Sequence, residues 1–417
     1  MRSLKVLFVL LALAAIVAPV DAQTFIGTGR YLYDDSTDGD AADNMFRVGN
    51  ATTTMSNGAA TYVGGDFSMG TSTSAVQVGV GTTNSVTLQL VKGWGSLVML
   101  DGNLNLSVAG QTTLFGRTSG TAYVTQVGGV MTLGATGKET MFACSSTSGG
   151  FPKNTEGVSE AYVELRGGTM VVKGAGRFGA YNAWKTPVMS GFPTDPSGMN
   201  KGQIIITGGT YDNSIASGGE NTFVGFTGGD GRMEVLNSSV AKFGNLYLGC
   251  SDSRTYTLTS QGSTVTGAVD RSSNAVLKVG KAADVTVDAS FIMFESNKNV
   301  ELQIEIASLT DFSQIKAGSI GIGNQYSALD DGLDPVLTVA MLGYTPNLGD
   351  KWNIGVATGS VTLDGGFRQI NAPALSDPAW SYEVVVDGKN LVLQVVPEPA
   401  TLALLSLGGL ALIRRRR

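Results

Sequence analysis

The chain of 417 residues contains no histidine. That absence removes Ser-His-Asp and Cys-His nucleophilic catalysis, and the usual histidine-based zinc sites with them. Carboxylate and Lys/Arg chemistry stay open. Cysteine is almost missing, with Cys144 and Cys250 alone, so no disulfide framework holds the fold together. Charged residues make up 15% and aromatic residues 8% of the chain. Long Ala/Leu/Glu/Lys helical patterns are absent between the two ends. Nothing in the sequence calls for a cofactor or a resident metal.

What is abundant is glycine, 57 residues, about twice ordinary usage. With the plentiful serine, threonine and asparagine it describes a turn-dense chain, and an all-β fold follows. The same short phrase keeps returning, a hydrophobic residue and a glycine followed by small or polar residues: RVGNAT at 47–52, QVGVGT at 77–82, LFGRTS at 114–119, RFGAYN at 177–182, FVGFTG at 223–228, YLGCSD at 247–252 and KVGKAA at 278–283. MFACSS at 141–146 fits with Ala143 in place of the glycine. A second phrase is interleaved, a Gly-Gly pair followed by alternating apolar residues, at 64–70, 128–134, 167–174 and 208–214. Irregular periods of 20 to 50 residues, each with one strand-turn-strand phrase, are the mark of a solenoid in which a coil buries its apolar face only against its neighbours.

The expected fold is therefore a β-solenoid, a right-handed parallel β-helix, over 23–290, with loops such as 151–160 and 186–200 absorbing the irregular spacing. Stacked antiparallel sandwiches are the competing architecture. From 291 to 396 the strands lengthen, and Asp387-Gly388-Lys389-Asn390 reads as a hairpin turn between the last two. This stretch is expected to form a C-terminal β-rich cap over the open solenoid end.

Both ends carry addresses. Arg2 and Lys5 precede an apolar stretch from Val6 to Val20, and a cut between Ala22 and Gln23 would release a signal peptide, residues 1–22. At the other end, residues 397–417 fall into three parts: Pro397-Glu398-Pro399, an uncharged apolar run from Ala400 to Ile413, and Arg414, Arg415, Arg416 and Arg417. Fourteen residues rise about 21 Å as a helix, short of the roughly 30 Å hydrocarbon core. A terminal apolar helix inserted transiently in the membrane is thus expected rather than a permanent anchor, though a single-span anchor is the alternative. The arginines mark the cytoplasmic side. The two prolines, lacking amide donors, predict an extended, unpaired joint open to a processing enzyme.

The order of PEP, short apolar run and terminal arginines resembles the PEP-CTERM sorting signal of exported bacterial proteins. The resemblance implies an exosortase, an intramembrane cysteine peptidase-transpeptidase, as processing partner. It also implies a location at the cell surface or in the extracellular matrix of exopolysaccharide-making bacteria, with transient inner-membrane anchoring. More loosely, the repeats followed by a strand-rich block resemble autotransporter-like, repeat-bearing PEP-CTERM proteins.

Without residues 1–22 and 397–417 the body keeps 22 basic against 32 acidic residues, a net charge of −10. Such a surface argues against nucleic acid as a partner, and an acidic extracellular polysaccharide would need bridging cations. Three function classes remain. The first is a non-enzymatic surface or matrix protein, the preferred reading. The second is a carbohydrate-binding or adhesive module, which would need an exposed aromatic row drawn from Trp94, Trp184, Trp352 and Trp380, with Tyr181-Asn182-Ala183-Trp184 the most suggestive group. The third is a carboxylate-dependent lyase or hydrolase, for which Glu164, Glu234, Asp230 and Asp252 show no recurring strand phase. Asp34, Ser36, Asp38 and Gly39 begin like a calcium loop, but Met45 stands where the closing glutamate belongs, so a solvated turn is expected. Cys144 and Cys250 follow the glycine phrase in the same phase, about three coils apart, too far for a bridge.

Overall fold

The computed structural model describes residues 22–25, 46–50, 56–68, 76–80, 82–83, 90–91, 93–107, 112–117, 120–144, 158–180, 200–250, 254–260, 263–269, 273–296, 298–324 and 333–398. Most of these residues are β-strand, with one short 3-10 turn at Ile215–Ser217. The strands stack in parallel ladders, an arrangement consistent with a β-solenoid and not with antiparallel sandwiches.

Three ladders run side by side. Face I is an eleven-stranded parallel sheet from Ala22–Phe25 through Ser56–Tyr62, Gly93–Met99 and Thr121–Gln126 to Val336–Met341 and Gln369–Asn371. Faces II and III belong to one sheet because four long strands, Val130–Cys144, Thr169–Ala180, Asp284–Phe294 and Ile315–Asn324, bend at a corner and serve both. Elsewhere the two faces use separate strands, such as Thr210–Asn213 on face II and Gly219–Phe226 on face III. In the coils whose strands are all described, the chain passes I, II, III and returns to I one step along the stack.

Alternation along each strand decides what faces inward. On face I, Leu97, Val124, Val163, Ile204, Met233, Leu277, Leu302 and Leu337 form one inward column in register, all essentially buried. Opposite, on face III, Phe115, Phe142 and Phe178 stack with centroids 5.0 and 4.5 Å apart and planes nearly parallel. Each such side chain contributes roughly 1.5–3 kcal/mol by leaving water. No layer can do so without the coil above and below.

The corners are set by glycine. Between faces I and II, Gly65, Gly102, Gly129, Gly168 and Gly209 all have positive φ, from 68° to 96°. Their carbonyls accept bonds from the next coil, Asn103 N to Gly65 O at 2.7 Å and Thr169 N to Gly129 O at 2.8 Å among them, so the ladder continues through the turn. A Cβ on Gly168 would lie 2.3 Å from Gly129 O. Between faces III and I, Gly116, Gly179, Gly225 and Gly249 have φ of 62–73°, with Ala143 at 65° in the same column. The Gly-Gly and hydrophobic-Gly phrases are therefore two different corners.

One member is out of place. Val279 ends the face I strand Asn274–Val279, so KVGKAA marks the I–II corner and not the III–I corner. In that coil the III–I corner follows Met293 and Phe294 without glycine. A hydrophobic residue followed by glycine suits any strand end, and sequence alone does not separate the two corners.

Coil length varies from 25 residues, Ala275 to Val300, to 44, Asp230 to Asn274. The extra length falls largely at one corner: connections 81–92, 145–159, 181–200, 251–273 and 325–335 all run from a face III strand to the next face I strand. Other coils cross there in three residues, 118–120 and 227–229. Both loops expected from sequence, 151–160 and 186–200, belong to this corner, although 151–157 and 186–199 lie outside the described residues. Beside it sits a second, outward apolar cluster, Leu114, Met141, Cys144, Ala180, Phe223, Phe226, Cys250 and Phe294. Arg177 crosses this cluster, paired with Glu139 and lying 4.1 Å from the Phe226 ring centroid.

The parallel coils do not stop at 290. Val300–Ile306, Ile315–Asn324, Val336–Met341 and Gln369–Asn371 continue them, because strand alternation persists after the glycine phrase has faded. Antiparallel pairs also occur between faces III and I, Thr82–Thr83 with Leu90–Val91 and Arg254–Ser260 with Ser263–Val269, and the chain ends in the antiparallel pair Trp380–Asp387 and Asn390–Pro397, joined by the expected Asp-Gly-Lys-Asn turn, with Asn390–Pro397 laid along Lys351–Ala357. Leu391, Val392, Leu393 and Val395 bury against the last coils, and Trp352 donates from Nε1 to Ser308 O at 3.1 Å.

Cys144, Ala180, Phe226 and Cys250 are successive partners in one column, which puts the cysteines three coils apart, roughly 14 Å at about 4.8 Å per coil. Both are buried, and neither is in a disulfide. Labelling of the denatured, unreduced protein is expected to find two thiols per chain; none in a monomer would contradict the register. Gly168→Ala and Gly137→Ala separate sterics from backbone preference, since both have positive φ but a Cβ on Gly137 meets nothing within 4 Å. Gly137→Ala is expected to cost about 1–2 kcal/mol, and Gly168→Ala about 1–3 kcal/mol more, read from urea denaturation. Equal costs would remove the corner ladder from the stability argument.

Candidate functional site

The last strand ends in the sorting sequence. Asn390–Pro397 is the central strand of three, held on one edge by Lys351–Ala357 and on the other by Trp380–Asp387. Val395 donates to Asp350 O at 3.0 Å and accepts from Gly349 N at 3.0 Å. On the opposite edge Pro397 stands across from Trp380, and Glu398 N donates to Ala379 O at 2.7 Å.

This corrects the expectation of an unpaired joint at Pro397. Hydrogen-bonded and non-hydrogen-bonded pairs alternate along an antiparallel ladder. The Glu398 bond to Ala379 makes the Pro397–Trp380 pair a non-bonded one, where a missing amide donor costs nothing. Proline is therefore compatible with strand pairing at this position. Pro399, the apolar run from Ala400 to Ile413 and Arg414, Arg415, Arg416 and Arg417 lie outside the described residues, as does the apolar stretch 6–20. No helix among the described residues is long and apolar enough to cross a membrane. At the other end, Ala22 and Gln23 open the first face I strand, opposite Ala59 and Ala60. A chain beginning at Gln23 would keep all but one residue of that strand.

A shallow groove of about 480 Å³ lies beside this exit, lined by Phe367, Arg368, Ile370, Leu375, Trp380 and Tyr382 among others. Sequence reasoning did not find it, because its walls come from two segments that fold together only at the last coil. The one available signal was the Trp380-Ser381-Tyr382 alternation.

The tryptophans scatter. Trp352 is fully buried, Trp380 lines the groove, and Trp94 lies on the outward side of face I. Tyr181, Asn182, Ala183 and Trp184 lie outside the described residues. Trp94 is joined by Tyr123 and Tyr162 in an outward row with centroids 5.8 and 5.3 Å apart. Tyr123 and Tyr162 are within 16° of parallel, so those rings stack on each other along the coil axis. Ring faces that cover one another present mainly edges and hydroxyls outward, which suits ladder packing better than a platform for sugar rings. Burial, then the neighbouring Glu160, raises the Tyr162 hydroxyl above its ordinary value.

The acids do share strand phase, contrary to the sequence reading. Glu164 and Glu234 occupy one outward column with Ile205 between them. Each is paired with a cation two residues away in the chain, Glu164 with Arg166 at 2.7 Å and Glu234 with Arg232 at 2.6 Å. Glu160, Lys201 and Asp230 form another column, its two carboxylates about 10 Å apart at the coil repeat. Lys201 sits between them, 3.9 Å from Glu160, where a substrate bond would have to enter. Burial pushes the Asp230 carboxyl up, opposed by Lys201 and Arg232. The second column is an alternating-charge ladder, and the acids of the first are ion-paired within their own coils. Among the described residues no three His, Cys, Asp or Glu side chains converge as metal ligands; Asp34 to Asp43 and Asp252 lie outside them.

Comparison with curated proteins gives no match. Residues 395–417 match the PEP-CTERM protein-sorting motif, the signal of exported, cell-surface proteins handled by exosortase, and this motif begins inside the last strand of the fold.

Proposed function

We propose that the chain is a non-enzymatic, exported surface or extracellular-matrix protein. Its body is a right-handed parallel β-helix, and its C-terminal tail passes through the inner membrane transiently as a short apolar helix while an exosortase-type peptidase processes it. Parallel crossovers are right-handed in nearly all known cases, which is the basis for the handedness. The observation that carries the functional reading is the sorting motif at 395–417, which begins inside the strand that closes the solenoid. A stack closed by its own antiparallel strands is all but complete where the signal begins.

Non-enzymatic action is supported by the pairing of every outward carboxylate column described above with a lysine or arginine. Fold alone would leave catalysis open. Extracellular polysaccharide is the medium in which such a protein would be retained. An acidic polymer would meet a body of net charge −10 through cations, and a neutral one through the Ser/Thr/Asn-rich surface.

Intact mass of protein extracted from the cell surface is expected to show a chain starting at Gln23 and lacking Arg414 to Arg417. Recovery of the intact C-terminal peptide as the main species would favour a permanent single-span anchor instead. In a polysaccharide screen of residues 23–398, no new reducing or unsaturated ends are expected at any pH from 4 to 9. Their appearance, and their loss in Asp230→Asn, would replace this reading with an enzymatic one.

A further inference from the structure

We infer that the outer edge of the strand Trp380–Asp387 is a docking surface for a second copy of this chain, which adds its own Trp380–Asp387 strand in antiparallel pairing about a two-fold axis at Val384. The contact belongs to the folded body and is independent of how the tail is processed.

The edge follows from the ladder beside it. Asn390–Pro397 pairs with Trp380–Asp387 along one side, over eight residues and without a bulge. The Glu398 N bond to Ala379 O fixes the alternation. Ser381, Glu383, Val385 and Asp387 turn their backbone groups toward Asn390–Pro397, and Trp380, Tyr382, Val384 and Val386 turn theirs away. The Trp380 amide is taken by Asp377 O at 3.2 Å. Among the described residues no backbone bond reaches the outward groups of Tyr382, Val384 or Val386. Neither a proline nor a bulge interrupts them, although these are common guards of an edge. The side chains agree. Tyr382 and Val384 are only partly buried against the core and Val386 is 40% exposed, whereas Leu391, Val392 and Leu393, one strand further in, are at most 2% exposed.

Charge decides which partner fits. Two copies paired antiparallel join outward residues to outward residues, and the position of the axis sets which side chains meet. An axis through Glu383 places that carboxylate against its own copy, and one through Val385 places Glu383 against Asp387; like charges directly opposite are destabilising. An axis through Val384 avoids both. It bonds Val384 to Val384 of the partner subunit and Tyr382 to Val386 of the partner subunit in both directions, two bonds per pair and about six in all. On the core side of the sheet Tyr382 meets a β-branched residue, a favourable cross-strand pair, and the exposed Val386 is covered. On the solvent side Glu383 meets Val385 of the partner subunit, and Asp387 meets Ser381 of the partner subunit. Trp380 then stands opposite Gly388 of the partner subunit, so the partner's hairpin turn comes to the groove that Trp380, Ser381 and Tyr382 help to line. The strand is complementary to itself, and a two-fold contact uses both edges and closes at a dimer. The body charge of −10 opposes association at long range, so pairing strengthens as salt screens it.

The test is sedimentation of the full-length protein in detergent micelles over a series of concentrations and salt levels, with the register read by cysteine cross-linking. A monomer–dimer equilibrium is expected, its dissociation constant falling several-fold as salt rises; a monomer at every concentration and salt level overturns the inference. Val384→Cys is expected to give a disulfide-linked dimer, since a bonded pair holds its Cα atoms about 5.5 Å apart, within disulfide reach. Tyr382→Cys and Val386→Cys are each expected to stay unlinked alone and to link when mixed. Tyr382→Cys linking to itself as readily as Val384→Cys overturns the register and the inference with it. Val384→Pro removes an amide that the fold does not use, as Pro397 does on the neighbouring strand, and is expected to weaken dimerisation at least tenfold while the melting temperature stays within a few degrees. Should that variant fail to fold, Val385→Glu decides, because it sets a second carboxylate opposite Glu383 of the partner subunit at a partly exposed position. Val385→Glu is expected to weaken the dimer several-fold and Val385→Lys to strengthen it. Dimerisation unchanged in folded Val384→Pro, or in Val385→Glu, overturns the inference.

Discussion

Everything in this fold depends on backbone meeting backbone at the corners. At the I–II turn a carbonyl of one coil lies where a Cβ of the next would have to be, 2.2 to 2.4 Å away for Gly129, Gly168 and Gly209. At the III–I turn the column of Gly179 and Gly225 presses against Gly202 and Gly231 of face I, again with would-be Cβ positions within about 2 Å of backbone atoms. Close approach lets the inter-coil hydrogen bonds run through the turns, and without it the three faces could not converge on a core only one side chain deep. Positive φ is needed at the same places, and only glycine supplies both at little cost. Ala143, in αL geometry, shows that one exception is tolerated where its methyl is buried.

Given those corners, side chains sort themselves by alternation. Inward columns are aliphatic or aromatic and repeat from coil to coil, so each layer is stable only between neighbours, and both ends of the stack need covering. The C-terminal end is covered by the antiparallel pair Trp380–Asp387 and Asn390–Pro397, whose buried Leu391, Leu393 and Val395 extend the core. Outward columns carry alternating charges whose pairs are largely solvent-exposed. Such pairs contribute little stability.

Chain length varies most at one corner. A turn from face III to face I can be three residues or more than twenty without disturbing the ladders, because the flanking strands are already fixed by their neighbours. The insertions therefore collect along one edge, beside the outward apolar cluster that Arg177 crosses. At the far end, cap and sorting signal share Val395 to Glu398, so closure of the stack and presentation of the tail are one structural event.

Much of this was legible in the residues. Glycine usage and two recurring phrases determined an all-β chain of irregular coils, because positive-φ positions leave a signature that few other residues can write. The spacing of Cys144 and Cys250 placed them in one column for the same reason, and Asp387-Gly388-Lys389-Asn390 determined its hairpin through local turn chemistry. The PEP, apolar and arginine order determined the address, since a peptidase reads it as sequence. Tertiary structure alone decided which corner each glycine phrase serves, as with Val279-Gly280, and that the coils run on past 290 where alternation outlasts the phrase. It alone showed that Glu164 and Glu234 share a column, because phase across coils of 25 to 44 residues is set by register and not by sequence distance. And it decided that Pro397 pairs: whether a proline breaks a ladder depends on which edge its missing N–H would have faced, and that edge exists only once Trp380 has been brought alongside.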